Sequence, residues 1–214
     1  MTVTATPGAA PDFAPSHLHV VHDRNGTALD LDAAERAVAD LLVALGQDPM
    51  SEHLRDSPRR VAHAYAEMLT ARPFNLTTFP NDEGYDELVM AREIPFHSLC
   101  EHHLLPFTGV AHVGYLPGER ILGLSKLARV VELFARTLQV QERLTKQVAD
   151  WLQDHLEPKG VGVVIEAEHS CMSLRGVQAS GVLTVTSSLQ GLLRQDPRSR
   201  AEFLSLAAPR SSGR

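Results

Sequence analysis

The sequence has 214 residues, of which 43% are hydrophobic and 21% charged, which is typical of a globular protein with one hydrophobic core. The formal net charge of −6 argues against general binding to nucleic acids or anionic membranes, since these need a basic surface. There is no apolar run as long as a membrane span, no signal-peptide pattern at the N-terminus and only two cysteines, so we expect a cytoplasmic protein.

The chain is expected to begin with a tail and two helices. Residues 1–29 are rich in Pro, Ala and Thr without a sustained period, which predicts a mobile N-terminal tail. Apolar residues recur at helical spacing over 30–45. A second helix is predicted to begin at Ser57-Pro58, with the serine as N-cap and the proline at the first helical position, and to end at Pro73.

Strands and helices then follow in blocks. The remaining predicted elements, in chain order, are strands over 87–94 and 110–115, a helix capped by Ser125 over 125–138, a helix over 141–156, strands over 161–168 and 182–188, and a helix over 201–206. Because the strands occur in hairpin-like pairs without sustained βαβ alternation, the predicted fold class is α+β. We expect one domain over 30–206 and a C-terminal tail over 207–214.

The two cysteines each lie close to histidine, in Cys100-Glu101-His102-His103 and His169-Ser170-Cys171. Within a helical turn, Cys100 and His103 would share one face. Two thiolates and one imidazole would give zinc three protein ligands and leave the fourth position for water, as in catalytic sites. That arrangement would indicate a hydrolytic enzyme. The alternatives are buried, inert cysteines, or a structural zinc whose fourth ligand is His102 or His169.

Charged and polar residues near these motifs suggest further roles. Next to a metal-bound water, His102 and His169 could transfer protons, or they could only hydrogen-bond to a ligand. Four basic residues could bind a small anion, with help from a helix N-terminus, although most such charges are simply solvated. These are Lys126, Arg129, Arg175 and Arg60. A carboxylate in the first turn of a helix is stabilising in itself, which is enough to explain Glu142. Glu142 could also accept hydrogen bonds from a guanine.

Several sequence segments, taken in their order along the chain, resemble the signature of the GTP cyclohydrolase I family. They are Ser98-Leu99-Cys100-Glu101-His102-His103-Leu104-Leu105-Pro106-Phe107, Gly123-Leu124-Ser125-Lys126-Leu127-Ala128-Arg129, Gln139-Val140-Gln141-Glu142-Arg143-Leu144-Thr145, Glu166-Ala167-Glu168-His169-Ser170-Cys171-Met172 and Arg175-Gly176. Ordered motifs at matching intervals are far more specific than any single motif. The resemblance extends over about residues 30–206.

The resemblance implies a fold, an assembly and a reaction. The fold would be a T-fold, with an N-terminal helical region, an antiparallel sheet and two consecutive helices on one face. The protein would be a homodecamer of two pentamers, with active sites at subunit interfaces. It would hydrolyse GTP at C8 of guanine to formate and 7,8-dihydroneopterin triphosphate, the first step of tetrahydrofolate and pterin biosynthesis.

The resemblance also implies roles for individual residues. The ligands of one Zn²⁺ per chain would be Cys100, His103 and Cys171. The catalytic residues would be His102 and His169 for proton transfer and Ser125 at the ribose. Substrate would be bound by Gln141 and Glu142 at guanine, by Lys126, Arg129 and Arg175 at the triphosphate, and by Arg60. His63 and Ala179 stand where many relatives have lysine, which affects the expected affinity for triphosphate.

Two other functions have similar chemistry. A zinc nucleobase deaminase also attacks a heteroaromatic carbon, but that class needs a Cys-x-x-Cys pair, which this sequence lacks. A non-catalytic T-fold protein that binds a pterin or purine would not need Glu142, Ser125 and both histidines. The residues therefore favour the enzyme.

Overall fold

The computed structural model describes residues 28–208. The tails predicted over 1–29 and 207–214 lie almost entirely outside these residues. The elements, in chain order, are α1 (Leu31–Ala44), α2 (Ser57–Met68), β1 (Thr78–Pro80), β2 (Val89–Cys100), β3 (Pro106–Leu116), β4 (Arg120–Leu122), α3 (Ser125–Ala135), β5 (Leu138–Gln139), α4 (Gln141–Leu156), β6 (Gly160–His169), α5 (Ser170–Ser173), β7 (Thr184–Gly191), α6 (Leu192–Gln195) and α7 (Pro197–Ala207).

Five strands form the main sheet in the order β5-β2-β3-β6-β7. The pairs β2–β3, β3–β6 and β6–β7 are antiparallel, and β5 pairs in parallel with the last two residues of β2. β1 and β4 form a separate two-stranded sheet. The predicted α+β class is confirmed. None of the helices within residues 28–208 is both long and apolar enough to cross a bilayer.

The consecutive helices α3 and α4 cover one face of the sheet, as predicted. Because side chains alternate along a strand, every second residue of β3 and β6 points towards these helices. The strand residues of this layer are Ala111, Val113, Tyr115, Val161, Val163 and Ile165, and the helix residues are Leu127, Val130, Val131, Phe134, Leu144, Val148, Ala149 and Leu152. Each large apolar side chain buried here stabilises the fold by about 1.5–3 kcal/mol. This layer fixes β2 and β6, which end at the candidate site.

The opposite face of the sheet carries a smaller apolar cluster built around α7. Phe203 is fully buried there, next to Leu116, Val164 and Leu193. Its ring lies over Gly162, where a Cβ would be only 2.6–2.8 Å from three ring carbons. The lack of a side chain at position 162 therefore allows α7 to pack on the sheet.

Several predicted boundaries are wrong by a few residues. Ser57 and Ser125 are the first residues of their helices, and the N-cap positions are Asp56 and Leu124. At α3 a preceding turn, closed by Lys126 N–H donating to Gly123 C=O at 2.8 Å, already supplies the helical geometry. α3 ends at Ala135 rather than at residue 138, which belongs to β5.

Candidate metal centre and active site

The turn between β2 and β3 brings the first two candidate ligands together. Leu104 N–H donates to Cys100 C=O at 2.8 Å, and Cys100 N–H donates to Leu105 C=O at 2.9 Å. Cys100 Sγ lies 3.7 Å from His103 Nδ1, so the predicted spacing on one face of a turn is confirmed. Leu104 adopts a left-handed backbone, with φ of 54°. Tyr65 on α2 donates to its carbonyl oxygen at 2.9 Å, which ties the N-terminal helices to the turn.

The third candidate ligand, Cys171, reaches the turn through the pairing of β3 with β6. Phe107, just after the turn, is paired with His169 at the end of β6. α5 follows at once and carries Cys171. The ligand atoms of Cys100, His103 and Cys171 all lie within 4.8 Å of one another. A tetrahedral zinc with bonds of about 2.0–2.3 Å needs its ligands about 3.3–3.8 Å apart, so these residues fit a metal ion.

The electrostatics of the two thiols also suit a cation. Burial raises the pKa of the Cys171 thiol, and the neighbouring Cys100 raises it further. Two adjacent thiolates repel each other and are poorly solvated, so a divalent cation between them would stabilise both. The pair is thus better suited to holding a metal than to remaining ionised without one.

Arg175 contacts the metal centre directly. Its Nη1 lies 3.0 Å from His103 Nε2. A guanidinium can only donate, so Nε2 accepts this bond and the proton of the neutral ring lies on Nδ1, which faces Cys100. Ligation of a metal through Nδ1 would move this proton to Nε2 and release Arg175 from His103. This places one of the predicted anion-binding cations within reach of a substrate at the metal.

The two predicted proton-transfer histidines lie in different environments. The His169 ring stacks on Phe107, with centroids 4.5 Å apart and planes 4° apart, and its Nε2 is 2.8 Å from Gln141 Oε1. Burial lowers the pKa of His169, and the Glu142 carboxylate opposes this more weakly. His102 is 65% exposed, and its Nε2 lies 4.0 Å from Glu101. One histidine is therefore oriented and mostly neutral near pH 7, and the other is largely exposed to solvent.

Gln141 and Glu142 begin α4 beside His169. Glu142 is exposed, as a group that contacts substrate must be, whereas Gln141 is only 2% exposed. The amide of Gln141 hydrogen-bonds to protein atoms on β6 and β7 as well as to His169. The structure therefore presents the Glu142 carboxylate, but not the Gln141 amide nitrogen, to the outside.

The remaining predicted substrate contacts lie elsewhere in the same chain. The C-terminal end of α3 is near the metal turn, since Ser98 Oγ donates to Thr137 C=O at 3.2 Å. An eleven-residue helix is about 16 Å long, so Ser125 and Lys126 lie roughly that far from this end. Lys126 Nζ stands 6.0 Å from the centroid of the Phe74 ring.

Arg129 and Arg60 lie at two further places in the structure. Arg129 donates to Glu132 at 2.9 Å and lines a cavity of about 260 Å³ between α3 and β2. Arg60 lies on α2, 3.9 Å from Asp56, with both side chains more than half exposed. The structure thus brings together the ligands, Arg175, His169, Gln141 and Glu142, and it places the other cations on α2 and α3.

Three residues that support the site were not predicted from the sequence. Phe107 supports the His169 ring, and Tyr65 holds the turn. Arg143 donates both to Glu101 in the turn and to Gln139 Oε1, at 2.9 Å to the latter. The hydrogen bond from Arg143, with help from its charge, lowers the pKa of Glu101. All three act across long stretches of sequence, so no local spacing pattern predicted them.

Fold and site together define an α+β protein with a Cys–His–Cys group that could bind a metal ion. Residues 34–208 match the family model described as GTP cyclohydrolase I. The chain belongs to this family, and the predicted T-fold is that of the family.

Relatives of the chain carry the same family name. The GTP cyclohydrolase 1 of Aquifex aeolicus (strain VF5) is 51% identical over 179 residues, covering 84% of this chain and 97% of the relative. That of Synechococcus sp. (strain JA-2-3B'a(2-13)) is 53% identical, over 79% of this chain and 76% of the relative. That of Streptomyces avermitilis (strain ATCC 31267) is 52% identical, over 89% and 98%. The family predicted from the sequence is confirmed.

Proposed function

We propose that this protein is a zinc-dependent GTP cyclohydrolase. It hydrolyses the imidazole ring of the guanine of GTP at C8, releases formate and forms 7,8-dihydroneopterin triphosphate, the first step of tetrahydrofolate and pterin biosynthesis. The observation that carries this proposal is the convergence of Cys100, His103 and Cys171 within 4.8 Å in a chain of this family.

The three ligands would hold one zinc ion per chain. When bound, zinc lowers the pKa of water towards neutrality and so supplies a nucleophile for C8. Cys100 and Cys171 as thiolates would balance the charge of the ion, and His103 as a neutral imidazole would complete the three protein ligands.

The two histidines would move protons during ring opening and formate release. His169 is kept neutral by burial, so it can accept a proton near pH 7. His102 is exposed on the same turn and can exchange protons with solvent. The buried environment of His169 suits a base inside the site, and the exposed environment of His102 suits a proton donor in contact with solvent.

Substrate would be held by three groups of residues. Glu142 accepts hydrogen bonds from guanine N1–H and the exocyclic amine. The resemblance assigns Gln141 to guanine as well, but its amide nitrogen already has protein acceptors, so we assign this contact to Glu142. Ser125 would contact the ribose, and the cations Lys126, Arg129, Arg175 and Arg60 would contact the triphosphate.

Neighbouring chains would be needed to complete each site. Within one chain, Ser125 and Lys126 lie at the N-terminal end of α3, roughly 16 Å along the helix from the end that is near the metal turn. Within the described part of the chain, β2 has no partner on its outer side before Leu99, and β7 is the other edge of the sheet. Such open edges favour pairing between copies.

Exposed apolar residues in β7 and in the segment before it support association between copies. They are Leu174, Val177, Leu183 and Val185, each more than half exposed. A closed ring would cover them and remove both edges. We propose a homodecamer of two pentamers, with active sites between subunits, located in the cytoplasm.

The direct test is to incubate zinc-loaded protein with GTP and to measure formate and the fluorescence of oxidised neopterin. We expect both products in equal amounts. Binding of GTP without formate release would refute the enzyme and support a non-catalytic binding protein.

A further inference from the structure

Gln141 is a buried polar side chain with a complete set of protein partners. Its Nε2 lies 3.1 Å from Ile165 C=O, 2.9 Å from Thr184 C=O and 3.1 Å from Thr186 Oγ1. A carbonyl oxygen can only accept, so the amide nitrogen must face β6 and β7. Turning the amide over would set its oxygen against two carbonyl oxygens. The orientation of the Gln141 amide therefore follows from the network.

Two threonines close this network into a loop. Thr145 Oγ1 donates to the backbone C=O of Gln141 at 2.7 Å and lies 2.6 Å from Thr186 Oγ1. A hydroxyl has one hydrogen, and that of Thr145 is already used. Thr186 must therefore donate to Thr145, which leaves a lone pair of Thr186 to accept from Gln141. The Gln141 amide has two hydrogens for three acceptors, so one acceptor shares a hydrogen or receives none. All three acceptors lie on the Nε2 side, so the direction of the loop is fixed.

The only polar atom of the Gln141 side chain left for His169 is Oε1, at 2.8 Å from His169 Nε2. An amide oxygen cannot donate, so His169 Nε2 must carry a proton. In the neutral ring, Nδ1 then keeps its lone pair. Stacking on Phe107 holds the plane of the ring, so orientation and tautomer are fixed by different residues.

We propose that Gln141, Thr145 and Thr186 form a positioning network that keeps His169 in its Nε2–H tautomer. His169 Nδ1 is then the atom that takes up and returns the proton in the reaction. Gln141 acts through His169 and does not contact guanine. The catalytic consequence rests on the proposed function, whereas the tautomer is a property of the protein without substrate.

The tautomer can be measured directly. Zinc-loaded, ¹⁵N-histidine-labelled full-length protein is studied by magic-angle-spinning NMR without GTP, with His169→Ala to assign the signals. We expect the Nε2–H form in the wild type and a mixture of both forms in Gln141→Leu. A wild-type His169 protonated on Nδ1 would overturn the proposal, even if the enzyme releases formate.

Kinetics separate a positioning role from substrate contact. Gln141→Leu keeps the size of the side chain but removes the acceptor, so we expect kcat to fall by about tenfold or more, with KM for GTP within about threefold and zinc content unchanged. Gln141→Glu keeps an oxygen facing His169 but sets its second oxygen against Ile165 C=O and Thr184 C=O, so it should not recover kcat. Wild-type kcat in Gln141→Glu would contradict the network. A large rise in KM at unchanged kcat in Gln141→Leu would mean that Gln141 binds guanine.

A matched control and a second position in the loop complete the test. Gln153→Leu changes a glutamine at the far end of α4, which bonds to Pro158 C=O, and should leave kcat unchanged. Thr186→Ser keeps the hydroxyl and should behave as wild type, whereas Thr186→Val should lower kcat by severalfold. Equal losses in Thr186→Ser and Thr186→Val would show that packing, not hydrogen bonding, matters there.

Discussion

Removal of the Tyr65 hydroxyl should weaken metal binding without touching a ligand. Tyr65→Phe deletes the hydrogen bond of 2.9 Å to Leu104 C=O and leaves the aromatic ring in place. Leu104 has a left-handed backbone, which costs roughly 1–2 kcal/mol for a residue other than glycine. The turn therefore depends on its hydrogen bonds to stay in the form that aligns Cys100 with His103.

The magnitude follows from the loss of one hydrogen bond. Such a bond contributes about 0.5–1.5 kcal/mol, and 1.4 kcal/mol corresponds to a factor of ten in an equilibrium constant. If the bond favours the metal-binding form of the turn, the Kd for zinc should rise about two- to twelvefold in Tyr65→Phe. At saturating zinc, kcat should stay close to that of the wild type, because no catalytic group has changed.

The assay is competition for zinc against a chromogenic chelator. Tyr85→Phe is the matched control, because Tyr85 is half exposed and belongs to a loop before β2, away from the metal turn. Unchanged zinc affinity in Tyr65→Phe, or an equal loss in Tyr85→Phe, would refute the role given to the hydroxyl.

Three other predictions test separate parts of the molecule. Cys171→Ser should lose most zinc, which we expect at about one ion per chain, and most turnover; full zinc by metal analysis would disprove the three-ligand centre. Glu142→Gln should lower GTP turnover roughly tenfold or more with zinc intact, because a donor would then face a donor of guanine; unimpaired formate release would exclude this role. Gly162→Ala should destabilise the fold by about 1–3 kcal/mol, because its Cβ would meet the Phe203 ring, whereas Gly123→Ala has ordinary contacts and should melt like the wild type; equal melting temperatures for both variants would contradict this packing.

Local patterns predicted the helices and the metal turn well. α1 and α4 have clear helical periodicity. Cys100 and His103 are only three residues apart, so a local turn determines their relative position. β2 was predicted to end at residue 94, but it continues to Cys100. A bulge between Ala91 and Ile94 shifts its register, and Pro95 interrupts the pattern of strand-forming residues, so the alternation of β2 is not visible in the sequence.

Long-range contacts were beyond the reach of local patterns. The sequence named His169 and Gln141, but their contact spans 28 residues and depends on where β6 and β7 place three acceptors. The buried position of Gln141 was not foreseen, because a glutamine that begins a helix is usually exposed. The placement of Ser125 and Lys126 at the other end of α3 likewise depends on packing against the sheet.

The placement of Ser125 and Lys126 at the far end of α3 makes the enzyme suited to complementation between defective chains. In the proposed ring, the metal centre of one chain works with α3 of another. Cys171→Ser and Lys126→Ala would each be inactive alone, yet rings assembled from equal amounts of both would contain about a quarter of sites with both halves intact. Two mutant alleles in one cell would then restore part of the activity that neither can supply, whereas a site built from a single chain would give none.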